Sequence, residues 1–129
     1  MGSKKISVLI VEDVKLQQKI AVMTLEGLSC KIDTADTGIQ ALELVSKNSY
    51  DIIFMDLGLG DTDGLTVTQT IRNMKGKNRS TPIIALTANA EKEMKARCFQ
   101  VGMNDFMNKP ITADAAQAMF DKYVLGEKL

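Results

Sequence analysis

Tyr50-Asp51-Ile52-Ile53-Phe54-Met55-Asp56-Leu57-Gly58-Leu59-Gly60-Asp61-Thr62-Asp63-Gly64 is the stretch on which the fold turns. An apolar run of strand length stops at an acid, Asp56, and opens into a glycine-rich loop that asks for unusual backbone angles. A helix is predicted over 65–74. Upstream, Ile6-Ser7-Val8-Leu9-Ile10-Val11 has the same grammar: a β-branched run halted by Glu12 and Asp13, then apolar residues at helical spacing over 14–28. A second strand is expected at 30–34, and Asp36-Thr37-Gly38 supplies turn and cap chemistry for a helix carrying Ile39, Ala41, Leu42 and Val45. Downstream, a basic loop at 75–79 leads into Pro82-Ile83-Ile84-Ala85-Leu86, a fourth strand that ends at Thr87. A fourth helix over 90–101 contains the Glu91 and Lys95 pair and is closed by Gly102. Asp105-Phe106-Met107 makes a short fifth strand, and Lys109-Pro110 precedes a last helix over 112–124.

Alternation of apolar strands with helices implies an α/β domain with a five-stranded parallel sheet, doubly wound into a three-layer sandwich with right-handed crossovers. Ligands in such sheets sit beyond the carboxyl ends of the strands, where strand order reverses. Glu12 and Asp13, Asp56, Thr87 and Lys109 terminate the first, third, fourth and fifth strands there. The second strand lacks such a residue and is expected at the edge, giving the flavodoxin-like order 2-1-3-4-5. Residues 6–125 would form this domain, with 1–5 a leader or cloning remnant at Gly2-Ser3 and 126–129 a tail.

Composition narrows the chemistry. Of 129 residues, 45% are hydrophobic and 25% charged, which suits one folded domain. Lys plus Arg and Asp plus Glu are 16 each, so no overall positive field recruits nucleic acid or an anionic membrane, and no direct contact with either is expected. The acids are concentrated early: residues 1–64 hold ten acidic and six basic side chains, and residues 65–129 hold six and ten. The chain has no histidine and no tryptophan, which excludes His-based triads and His-ligated zinc. Cys30 and Cys98 stand far apart without a CxxC partner and read as free thiols in a reducing cytoplasm. No signal-peptide core follows the N-terminus.

Neighbouring parallel strands lie about 5 Å apart, so Glu12, Asp13 and Asp56 would crowd one small volume. Such carboxylates either bind a proton or demand a cation. Mg²⁺, with Mn²⁺ as an alternative, tolerates few protein oxygens because it keeps waters. The expected ligands are Glu12 (partly through water), Asp13, Asp56 and the Gly58 carbonyl. Asp56 is then the candidate nucleophile for a phosphoryl group, giving an aspartyl phosphate. Lys109 and the pair of Thr87 hydroxyl and Ala88 amide would take the remaining phosphoryl oxygens. Asp61-Thr62-Asp63-Gly64 looks like a calcium loop, yet Leu59 and Thr70 would occupy its first and twelfth ligand positions, so these residues are expected to shape the turn and cap the third helix.

These residues together resemble the receiver domain of two-component response regulators, including the receivers attached to hybrid sensor histidine kinases. The resemblance runs over about residues 6–125 and rests on Glu12-Asp13, Asp56, Asp63-Gly64, Thr87 and Lys109-Pro110 taken jointly. It implies phosphoryl transfer from a phosphohistidine, on a histidine kinase or a histidine phosphotransfer domain, onto Asp56. It further implies a switch in which Thr87 is drawn inward and Phe106 turns into the space behind it, and a cis Lys109-Pro110 bond. Activity would be self-phosphorylation from a phosphodonor and slow autodephosphorylation, in the cytoplasm or on the cytoplasmic part of a membrane-bound kinase. The face of the fourth helix, fifth strand and fifth helix would report the state. Gly60 departs from the family, which usually has Pro there, and implies a looser loop. Gly58 and Asn89 occupy positions that tune phosphoryl hydrolysis in relatives.

The first helix carries two apolar faces. Leu16, Ile20 and Met23 form one stripe, and Val14, Ala21 and Leu25 lie about 160° around from it. The second face is either covered in part by the last helix or, through Val14 and Ala21, docks a histidine phosphotransfer domain. Two alternatives of other classes stand beside the switch: a phosphorylation-independent protein-binding scaffold, and an aspartate-nucleophile phosphatase. The latter generally needs a second Asp two residues past the nucleophile, where this chain has Gly58.

Overall fold

The computed structural model describes residues 5–88 and 91–126. Asn89, Ala90, most of the leader and most of the tail lie outside the described residues. The elements run β1 (Ile6–Val11), α1 (Lys15–Glu26), β2 (Cys30–Ala35), α2 (Gly38–Lys47), β3 (Ile52–Asp56), α3 (Gly64–Asn73), β4 (Ile83–Thr87), α4 (Lys92–Gln100), β5 (Asp105–Asn108) and α5 (Ala113–Phe120), with a π-helical turn at Asp121–Leu125. All four strand pairings are parallel and the order is 2-1-3-4-5, as the sequence implies.

Strand residues alternate between two cores. Leu9, Val11, Ile53, Met55, Ile83 and Ala85 pack with α2, α3 and α4 side chains such as Ala41, Val45, Val67, Ile71 and Cys98. Val8, Ile10, Ile52, Phe54, Ile84 and Leu86 pack with Ala21 and Leu25 of α1 and Ala116 and Phe120 of α5. β1, β3 and β4 are thereby buried on both faces, which is why they read as unbroken apolar runs. Their first solvent-accessible rim is the carboxyl end, and the polar residues collect there.

Local chemistry closes the elements. Thr37, Asp63 and Thr112 cap α2, α3 and α5 by accepting the amides of Gln40, Thr66 and Ala115. Gly102 ends α4 at φ +105°, in the left-handed region that favours glycine. Gly64 is fixed by a close approach: a Cβ there would overlap the backbone carbonyl of Asp56. The glycine after Asp63 therefore lets α3 begin directly behind the acceptor.

The α1 reading requires a correction. The buried residues of α1 are Gln18, Ala21 and Leu25, while Leu16, Ile20 and Met23 are 68%, 42% and 70% exposed. Ala21 and Leu25 pack against α5 and the sheet, so the last helix covers this part of the second face and Ala21 is not free to dock a partner, whereas Val14 at the N-cap is 45% exposed. A helix apolar on two faces gives no internal sign of which face meets the sheet. Its phase is revealed by Gln18, a polar residue whose amide satisfies backbone carbonyls in the core.

Candidate functional site

The site is assembled at the carboxyl ends of β1, β3, β4 and β5. β1 ends one residue before Glu12, whose amide donates to the Ala35 carbonyl at 3.0 Å and so continues the β1 and β2 ladder. Val14, not Asp13, occupies the N-cap position of α1, and no side chain caps that helix. Asp13 is thus left half-buried with its carboxylate uncommitted to capping. One oxygen each from Glu12, Asp13 and Asp56 lies within 4.8 Å of the others, an arrangement that fits a divalent cation.

Lys109 enters from the turn after β5. Its Nζ lies 2.9 Å from Glu12 Oε1 and 3.0 Å from Asp56 Oδ2, and donates to Gln17 Oε1 at 3.0 Å. The Lys109-Pro110 bond is cis, as the family resemblance implies. The second Glu12 oxygen accepts the Val14 amide at 3.1 Å, and Asp56 Oδ1 accepts the Gly58 amide at 3.2 Å. The Glu12 and Asp56 carboxylates are thereby held in place although both residues are buried.

The electrostatics follow from burial. Desolvation, then the side chain of Asp56, raises the Glu12 carboxyl above the ordinary value, although Lys109 and the Val14 amide pull the other way. Burial works against the Lys109 ammonium, but Glu12 and Asp56 outweigh it and hold the lysine above its ordinary value. Acids that repel one another around a single ammonium carry excess negative charge, and a second cation would relieve it.

Thr87 is the last residue of β4 and is half-buried; its carbonyl accepts the Lys109 amide at 2.9 Å, locking the two strand ends together. Ala88 follows it, exposed. Phe106 on β5 is half-buried with Phe99 edge-on at 6.4 Å, and Lys95 Nζ stands 4.2 Å from its ring centroid. Gly58 reaches the acceptor through its amide and forms a bridge with Asp63.

Two residues near the site are not singled out by the sequence: Gln17, which holds Lys109 from α1, and Gln18. Gln18 alone left a signal, a polar residue in helical phase with Ala21 and Leu25. A cavity of about 180 Å³ lies beside the pocket, lined by Glu12, Gln17, Ile20, Ala21, Lys109 and Pro110 among others. It runs from Glu12 to Ile20 of α1.

Comparison with known proteins agrees with this geometry. The family model described as response regulator receiver domain matches residues 8–121. The sensor histidine kinase RcsC of Salmonella typhi is 34% identical over 116 residues, 90% of this chain and 12% of that protein, so the chain spans only a small part of that relative. The receiver domain of the Pseudomonas aeruginosa sensor histidine kinase PA1611, solved with a magnesium ion coordinated in its active-site cleft, is 34% identical with a TM-score of 0.84, covering 93% of this chain and 98% of that one. The receiver domain of Saccharomyces cerevisiae Ssk1, co-crystallised with the histidine phosphotransfer protein Ypd1, is 27% identical with a TM-score of 0.87, covering 100% and 95%.

Proposed function

The chain belongs to the response regulator receiver domain family, and from that membership we propose that it is the phosphoryl-accepting module of a two-component phosphorelay, with Asp56 as acceptor. The observation that carries this reading is the juxtaposition of the Glu12, Asp13 and Asp56 oxygens within 4.8 Å, with the Lys109 ammonium 3.0 Å from Asp56.

Glu12, Asp13, Asp56 and the Gly58 carbonyl would hold Mg²⁺ or Mn²⁺. When bound, the ion neutralises charge on the acids and on one phosphoryl oxygen. An Asp56 carboxylate oxygen forms the O–P bond as the N–P bond of a phosphohistidine breaks, and the imidazole, already protonated on its other ring nitrogen, departs neutral with the bonding electron pair. Lys109, already beside the carboxylate, meets a second phosphoryl oxygen, and the Thr87 hydroxyl with the Ala88 amide meets the third. Thr87 moving inward frees the space into which Phe106 turns, leaving the company of Phe99 and Lys95. Phe106 has no hydroxyl, so its two positions differ by burial and packing alone. We place the reaction in the cytoplasm, where reducing conditions suit free Cys30 and Cys98.

The test is labelling of the chain by acetyl phosphate, read by intact mass. One phosphoryl group is expected with Mg²⁺ and none when the metal is chelated. Labelling that is independent of divalent cation would overturn the reading. No labelling under either condition would favour the scaffold alternative.

With Ala21 covered by α5, the partner surface we propose on α1 is its exposed apolar stripe. Leu16, Ile20 and Met23 are exposed on α1 and Ile20 also lines the cavity beside Lys109, which supports a phosphohistidine-bearing helix bundle lying over these side chains as it reaches Asp56. A histidine phosphotransfer domain is the proposed occupant. Leu16→Glu with Ile20→Glu should slow transfer from such a donor by about tenfold or more, as expected when apolar anchors are lost, while acetyl phosphate labelling keeps its rate. Equal slowing with both donors would remove the docking assignment.

A further inference from the structure

The loop after Asp56 carries glycine at 58 and 60, which favours a loose backbone, yet it is tied down. Asp61 Oδ1 accepts the Gly38 amide at 2.9 Å and Oδ2 accepts the Ile39 amide at 3.1 Å. These are the first two residues of α2, and Thr37 takes the third amide of that turn. Asp63 caps the helix that follows, as expected of the Asp61-Thr62-Asp63-Gly64 turn, while Asp61 reaches back to a helix more than twenty residues upstream. The fit is close, since a Cβ on Gly38 would overlap the Thr62 methyl group. The α2 amides in turn hold the Asp61 carboxyl below the ordinary range, the Gly38 amide most strongly.

The loop bearing Glu12 and Asp13 is fastened to the same place. The Gln18 side-chain amide donates to the Glu12 carbonyl at 3.0 Å and to Asp36 Oδ1 at 2.8 Å, and Lys15 Nζ meets Asp36 Oδ2 at 2.7 Å. Asp36 is closed by its own amide donating to Gln40 Oε1 at 2.6 Å. Both acid-bearing loops thus hang from one short turn, residues 35–39, between β2 and α2.

We propose that this turn is a brace that sets the spacing of the two loops, and that Asp61 is a positioning residue for divalent-cation binding through its bonds to Gly38 and Ile39. The inference rests on the cation reading given above. Without the tie, a loop with two glycines samples many conformations, and binding must then select the one that presents Asp56 and Gly58 together.

Mg²⁺ titration of the whole chain, followed by backbone amide chemical shifts, tests this. Asp61→Ala should weaken Mg²⁺ about fivefold, the scale of a lost helix-cap contact. Asp61→Asn, which keeps an oxygen aimed at the same amides, should recover most of the affinity. Asp51→Ala is the control: it removes the same charge and another carboxylate-to-amide bond, from Ser7 at 2.8 Å, at the opposite end of β1. It should leave Mg²⁺ affinity within about twofold of the parent, since exposed charges that far away are largely screened. Asp61→Ala no weaker than Asp51→Ala overturns the brace. Asp61→Asn as weak as Asp61→Ala overturns it too, since charge rather than position would then set the affinity. A parent chain that shows no Mg²⁺-dependent shifts overturns the functional reading together with this inference.

Discussion

Asp56→Asn is expected to abolish labelling by acetyl phosphate and, in the absence of divalent cation, to make the fold more stable. The two effects share one cause. The carboxamide cannot supply an anionic oxygen to phosphorus, so the O–P bond has no nucleophile. Asn keeps the shape of the side chain, and Oδ1 can still accept the Gly58 amide that now lies 3.2 Å away. What it removes is one of three carboxylates packed within 4.8 Å. Lys109 loses one partner but retains Glu12 at 2.9 Å. Fewer like charges in a buried rim should raise unfolding free energy by about 1 kcal/mol in chelator. Mg²⁺ should then stabilise the parent chain far more than the variant, because binding to the native state alone adds stability by mass action. Urea unfolding with and without Mg²⁺ reads this directly, and intact mass reads the chemistry. A variant that still accepts phosphate on an acyl linkage would move the acceptor elsewhere.

A pH dependence accompanies it. The Glu12 carboxyl is raised, by burial first and by Asp56 second, so the native state binds a proton more readily than the unfolded chain. Stability of the metal-free fold therefore falls as pH rises from the ordinary carboxylate value through the raised one. With Asp56 neutral, the second cause is gone, and the fall should be shallower.

Much of this site could be read from the chain because polar residues halt apolar strands, and strands in a doubly wound sheet all end at one rim. Glu12 and Asp13 follow β1 and Asp56 ends β3, two neighbouring strands whose carboxyl-terminal halves are buried, so the meeting of these three acids follows from topology. Strand order was accessible for the same reason, through the one strand without a polar terminus. The failures have a different character. The stripe of Leu16, Ile20 and Met23 has core spacing but looks outward, because periodicity reports that a face exists and not what covers it. In the Asp61-Thr62-Asp63-Gly64 turn the local part, the Asp63 cap of α3, is legible because a cap is ordinarily a contact of two or three residues, but the tie made by Asp61 is not local. Its actual partners are 23 and 22 residues away, set by how the β3 to α3 loop lies across α2. Gln17 and Lys109 are separated by 92 residues, and no local pattern joins a helix surface to a distant turn. The Gly60 position shows the two levels meeting: the residue predicts a loose loop, and a tie from the next residue restrains it.

Lys109→Met should separate the two halves of the proposed reaction by moving them in opposite directions. Lys109 stands between Glu12 and Asp56, each within 3.0 Å of its Nζ, and so competes with a divalent cation for the same oxygens. Replacing it with an apolar side chain of similar length removes that competitor and deepens the negative potential of the rim. Mg²⁺ should bind severalfold more tightly, on the order of threefold for a partly exposed charge at this range. Phosphoryl transfer should nevertheless slow by about 10²–10³, the cost of deleting one preorganised cation or donor from an oxyanion site. Burial opposes the lysine's charge but its two carboxylate partners prevail, so its pKa is raised and its contribution is intact at neutral pH. That contribution is lost only as pH climbs through the raised value, so the comparison at pH 7 is free of lysine titration. In chelator, the variant leaves buried acids without their cation and should lose about 3 kcal/mol of stability, most of which Mg²⁺ restores. Tighter metal with slower chemistry cannot arise from a loosened fold, which would weaken both. Weaker Mg²⁺ binding in Lys109→Met would show that the lysine organises the acids rather than competing for them, and an unchanged transfer rate would take it out of the reaction.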